Sequence, residues 1–133
     1  FDEKRLIFRL LSITMKAEKV VGSLDENIVF KIEQFREINQ AENYVVTLHG
    51  RRRMSERGIE LQDVINAVDH GEIIEQYPDD YPFPSCLILG IAVKNKYLHA
   101  VVSLNENHIY LITTYYPSET DWEPDFKTRR EPK

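Results

Sequence analysis

The stretch His49-Gly50-Arg51-Arg52-Arg53-Met54-Ser55-Glu56-Arg57-Gly58 holds the residue types and spacing that could do chemistry. Side chains four apart share one face of a helix, so His49, Arg53 and Arg57 make a stripe of one imidazole and two guanidiniums. A guanidinium fork matches phosphate oxygens, and an imidazole gives or takes a proton near neutral pH. Such a stripe suits a phosphodiester. The competing reading is a solvated helix whose arginines pair with Glu56 and other acids.

A second group lies further along. His99 interrupts an otherwise apolar strand, and Thr113 to Tyr116 crowd the end of another. A three-residue hairpin loop at 105–107 would set His99 opposite Thr113 and Tyr97 opposite Tyr115. His99, Thr113 and Tyr115 would then share a sheet face. A cross-strand polar pair on a solvated face fits the same residues. Arg51 and Arg52 sit beside the first stripe, and Lys127, Arg129 and Arg130 form a second basic cluster. With a net charge of -5, the chain is no general nucleic-acid coat, but an acidic body with two basic patches could seat one short RNA strand.

Other chemistries find little support. No paired cysteine and no His-Glu-x-x-His spacing is present, so no metal is expected. Phosphate loops and dinucleotide fingerprints are absent, so no cofactor is expected either. Cys86 opens the most apolar strand and reads as a buried, inert thiol. His70 reads as structural at a helix end, and His108 as solvent-facing beside a turn.

The elements that must position these groups follow from periodicity. Residues 3–15 are apolar-rich and ambiguous between helix and strand. Ser23 or Asp25 can cap an amphipathic helix that runs through Ile28, Ile32, Phe35 and Ile38. Residues 44–48 are β-like and lead into the central helix. Leu61 to His70 is a second helix, ended by Gly71 at a usual place for a left-handed residue. From there the period becomes extended, with strands over 72–77, 86–93, 97–104 and 108–116. Trp122 and Phe126 should dock a polar tail onto the body. The expectation is an α+β fold with N-terminal helices on one face of a four-stranded antiparallel sheet. It divides into a helical extension over 1–42 and an α+β domain over 43–133. The apolar runs at 6–13 and 28–38 suggest a homodimer or partner surface.

The length of 133 residues suits one core, and a single cysteine excludes an internal disulfide. The sequence opens on Phe1, and Met15 could be a true start. No apolar run approaches a membrane span, and residues 6–15 lack a cleavage site, so a cytoplasmic protein is expected.

Several motifs together resemble a known family. They are His49-Gly-x-x-Arg53-Met54-x-x-Arg57-Gly58-Ile59, Gly71-Glu-Ile-Ile-Glu, Tyr77-Pro-Asp-Asp and Pro84-Ser85-Cys86-Leu87. With them go His99-x-Val101-Val102, Ile112-Thr-Thr-Tyr115-Tyr-Pro117, Trp122-x-x-Asp125 and Arg129-Arg130. Over about residues 43–130 the chain resembles the small bacterial domain-of-unknown-function family 4258. That family more often has Ala where Gly50 stands. Its members are similar to RelE-, MqsR- and BrnT-type toxins, metal-free ribonucleases of α+β, RelE- or barnase-like fold. Such toxins are often encoded beside a zinc-finger antitoxin. The resemblance implies His49 as general acid or base, Arg53 and Arg57 as phosphate holders, and His99 and Tyr115 as second-line groups. Three readings stay open: a ribonuclease toxin, an inactive module that binds an antitoxin-like partner, and a DNA-binding regulator using residues 49–70.

Overall fold

The computed structural model describes residues 29–81 and 83–131. The readings made on residues 3–15, Ser23 and Asp25 lie outside them. Helix α1 spans Ile32–Glu37, shorter than the expected run from Ile28 to Ile38. Lys31 is extended, and its N–H donates to the Gln34 side chain at 2.8 Å, starting the helix there. Phe30 lies before the helix, where the Gln76 amide bonds both its N–H and its carbonyl, at 3.2 and 2.7 Å. The apolar side of α1 turns inward: Phe35 is fully buried, and Ile32 and Ile38 pack around the same core.

Helix α2, Leu48–Arg57, carries the His-Arg stripe. Thr47 caps it, accepting from the Gly50 N–H at 3.0 Å, and Gly58 ends it in the left-handed region at φ 68°. Helix α3 is Leu61–His70, and Asp63 reaches back to the Glu60 N–H at 2.8 Å. Gly71 is not left-handed as expected, with φ -108° and ψ -169°. Space, not φ, demands glycine there: a Cβ would collide with the Ala67 and Leu89 carbonyls. Gly90 meets the same helix, its would-be Cβ 2.6 Å from Ala67 Cα. These two glycines let α3 lie directly on the sheet.

Among the described residues, five strands form one sheet, not four. They are β1 (Tyr44–Val46), β2 (Glu72–Tyr77), β3 (Ser85–Ile91), β4 (Tyr97–Asn105) and β5 (His108–Tyr115), in the order β1-β5-β4-β3-β2. β2 to β5 form the expected antiparallel meander. The correction is β1, which adds to β5 in parallel through Tyr44 to Val46 and Ile109 to Leu111. The helices cover one face over Cys86, Ile88, Leu98, Ala100 and Val102. The other face, with Leu87, Val101 and Ile112, is covered by Phe83, Trp122 and Phe126. The tail therefore docks as its aromatics required, and we call residues 117–131 the strap.

Two bulges set which side chains meet. β2 slips at Ile74, between the Ile73–Ile88 and Glu75–Leu87 pairs. Strict alternation would place Glu75 on the face of Ile73, beneath the helices. The bulge turns Glu75 toward the strap instead. β5 slips at Ile112, between the Leu111–Val102 and Thr113–Val101 pairs. The β4–β5 turn is also tighter than expected, with Asn105 paired to His108 and left-handed Glu106 and Asn107 between them. His99 therefore faces Tyr115, not Thr113.

Candidate functional site

All three stripe residues lie within α2, half-buried, at helical spacing. Arg57 is anchored on β5. Its Nη1 donates to the Thr114 carbonyl at 2.9 Å and approaches the Thr113 hydroxyl at 3.4 Å. The contact is possible because β1 covers β5 only as far as Leu111. Past that point the edge of β5 is open, and Arg57 satisfies one of its carbonyls. Arg53 pairs with Glu56 at 3.2 Å, the arrangement of the competing reading. Both partners are about half exposed, so this pair contributes little to stability. Arg51 and Arg52 are exposed on the outer side of α2, beside Leu48.

Tyr115 ends β5 next to this anchor. Burial pushes its hydroxyl above the ordinary range, while the charges of Arg129 and Arg57 pull it back. It therefore stays protonated at neutral pH. Arg57, on α2, and Arg129, on the strap, thus both act on one phenol.

His99 shares a sheet face with Thr113 and Tyr115, as expected, but does not follow the competing reading of a solvated polar pair. It is fully buried, not on a solvated face. Its ring stands edge-on to Trp122 at 4.5 Å, and its Nε2 lies 2.8 Å from the Phe126 carbonyl. Its Nδ1 lies 3.4 Å from the Tyr115 hydroxyl. Burial lowers its pKa, against the pull of the Phe126 carbonyl and the Glu75 carboxylate. A group so enclosed holds the strap and the Tyr115 ring, and cannot touch a substrate.

The basic tail residues expected to meet RNA are engaged within the molecule. Arg129 forks onto Glu75 at 2.9 and 3.0 Å and stacks over Trp122 at 4.7 Å. Arg130 pairs with Glu123 at 3.2 Å and donates to the Glu119 carbonyl at 2.5 Å. Lys127 pairs with Glu72 at 3.0 Å. Lys127 and Arg129 land on carboxylates of β2 and Arg130 on one of the strap's own, so the strap is neutralised where it docks.

Two residues given no role from the sequence belong here. Glu75 accepts from Arg129 and from the Tyr77 hydroxyl. Burial raises its pKa, yet the hydrogen bonds from Arg129 and Tyr77 outweigh this and hold it below the usual range. Tyr77 is raised by burial and by Glu75. Their spacing of two on a strand was a signal for one face, but the bulge that chooses the face leaves no mark in the sequence.

Among the described residues, no three His, Cys, Asp or Glu side chains converge as metal ligands. Cys86 is fully buried, and burial raises its thiol far above the usual range. His70 is exposed, with Nδ1 3.1 Å from the Asn66 carbonyl. His108 is half-buried, with Nδ1 2.9 Å from the Glu106 carbonyl. Among the described residues, no helix is long and apolar enough to cross a membrane.

Residues 46–116 match the family described as Domain of unknown function (DUF4258). No curated protein and no solved structure matches the chain.

Proposed function

The chain belongs to the DUF4258 family, whose match spans α2, α3 and β2 to β5, and from that premise we propose that it is a metal-independent endoribonuclease. One observation carries the reading. The His49-Arg53-Arg57 face of α2 ends on the open edge of β5, with Arg57 fixed on the Thr114 carbonyl, one residue before Tyr115. A phosphate placed there would lie along the two guanidiniums, with the His49 imidazole on the same face and its Nε2 buried.

Metal-free cleavage of RNA forms a bond from the ribose 2′ oxygen to phosphorus and breaks the bond to the 5′ oxygen. The 2′ proton goes to a base, the leaving oxygen takes a proton from an acid, and cations hold the charge on phosphorus. We assign His49 to proton transfer, and Arg57 and Arg53 to the phosphate. Positioned acid–base groups give about 10²- to 10⁴-fold, and cationic donors several kcal/mol more. His99 acts only through Tyr115. Arg51 and Arg52 extend the cationic surface along the strand. Such an enzyme acts in the cytoplasm as the toxin of a toxin–antitoxin pair, on a RelE- or barnase-like scaffold. A zinc-finger antitoxin is the partner this reading calls for.

A second reading has one observation in its favour. Leu48 is 76% exposed beside exposed Arg51 and Arg52, which suits an apolar anchor and carboxylates of a protein partner. In this reading the chain binds an antitoxin-like protein and cuts nothing. A DNA-reading role finds no support on α3, whose exposed residues Gln62, Asp69 and His70 include no lysine or arginine. Purified protein incubated with total RNA in EDTA decides between enzyme and binding module. Fragmentation lost in His49→Ala supports the enzyme. Intact RNA at high protein concentration removes it.

A further inference from the structure

The contacts on the strap face form an unbroken chain that ends at the Tyr115 hydroxyl. Arg129 forks onto Glu75, and its Nη2 lies 3.4 Å from the Tyr77 hydroxyl. The same guanidinium lies over the Trp122 ring, 4.7 Å from its centre, and that ring meets the His99 ring at 87°. The strap returns to His99 through the Phe126 carbonyl, 2.8 Å from Nε2. Phe126 has φ 56°, a left-handed conformation that a bulky residue adopts only when its surroundings hold it. The Asp125 carboxylate holds that turn, accepting from the N–H groups of Lys127 and Thr128 at 2.9 and 3.1 Å.

This chain fixes a proton. A carbonyl only accepts, so the His99 nitrogen facing Phe126 must carry hydrogen. In a neutral imidazole the other nitrogen is then an acceptor. That nitrogen, Nδ1, faces the Tyr115 hydroxyl at 3.4 Å, so the phenol gives its hydrogen to His99. What the Tyr115 oxygen offers a ligand is therefore its lone pairs. An acceptor oxygen one residue beyond the carbonyl that anchors Arg57, the arginine proposed to hold phosphate, fits a hydroxyl donor on the sugar next to that phosphate. In nucleic acids that donor is the ribose 2′-hydroxyl, which DNA lacks.

We propose that Tyr115 reads the ribose 2′-hydroxyl, and that the strap, acting through His99, holds the phenol in the accepting orientation. The assignment rests on the proposed RNA site. It makes Tyr115 the residue that separates RNA from DNA, and His99 and Arg129 positioning residues.

The test measures binding of one short single strand in three forms, with ribose, deoxyribose or 2′-O-methyl ribose, together with cleavage of the first. Wild type should prefer ribose over both others by roughly threefold to tenfold, the range of one hydrogen bond. Tyr115→Phe should bind all three alike while still binding them. Arg129→Gln should shift the emission of Trp122, the single tryptophan, toward that of solvated indole and reduce the preference together with it. Arg129→Lys should restore little of either, because a point charge cannot fork onto Glu75. Equal binding of the three strands by wild type overturns the inference, even if the RNA is cut. So does a ribose preference that survives Tyr115→Phe, or that survives Arg129→Gln once Trp122 has become solvated. Failure to bind any strand overturns it also. A ribose preference without cleavage upholds the inference and removes the ribonuclease reading instead.

Discussion

At the scale of single residues, the distinction that matters is between groups that can meet a ligand and groups that hold others in place. Arg57 does both, because one of its nitrogens is spent on the Thr114 carbonyl. Arg57→Ala should lower stability by about 1 kcal/mol, the size of one net hydrogen bond, and abolish RNA binding, measured by urea denaturation and strand titration on the same protein. His99 is buried, and burial holds its pKa below the ordinary value. The unfolded chain takes up a proton near pH 6.5 that the folded protein resists. Stability is therefore full above that pH and falls as the pH drops through it toward the lower folded value. Urea midpoints at pH 7.5 and 5.5 should separate in wild type and lie closer together in His99→Gln. Glu75 acts in the same direction in a lower window, since its depressed pKa withdraws stability only as the pH falls below about 4.3.

At the scale of elements, α3 depends on two glycines: Gly71 was legible as a break and Gly90 only as part of an apolar strand, and neither as a contact. Gly90→Ala would drive a methyl into the Ala67 backbone, and backbone cannot rotate away. It should cost about 1–3 kcal/mol by overpacking, read from the urea midpoint. The strands of the meander and α3 were legible because their periods are clean and Gly71 marks the change. β1 was legible as a β-like run, but three residues cannot announce a parallel partner more than sixty positions away. The two bulges were not legible at all. Ile74 and Ile112 look like ordinary strand residues, and only packing on both sheet faces decides which residue is extra. The stripe on α2 was legible because a helix makes spacing into geometry. The Glu75–Arg129 latch was not, because its partners lie 54 positions apart and Arg129 reads equally well as a free cation.

At the scale of the whole molecule, the sheet is covered by helices on one side and by the strap on the other, and the candidate site lies where both coverings meet the end of β5. The strap is part of the fold. Trp122 is 3% exposed, so Trp122→Ala should cost about 3–5 kcal/mol and release the strap. The tail cations are neutralised, Lys127 and Arg129 by Glu72 and Glu75 of β2 and Arg130 by Glu123 of the strap, so with a net charge of -5 the cationic surface proposed for RNA is that of α2. Binding should accordingly weaken steeply with salt in wild type and less steeply in Arg51→Ala/Arg52→Ala. The most direct test of the account is cleavage of a defined single-stranded RNA in EDTA by wild type and by His49→Ala, with the melting temperature of both recorded. Wild type should cut, and His49→Ala should keep its melting temperature and cut at least 100-fold more slowly. Cleavage by a folded His49→Ala protein at the wild-type rate would contradict it.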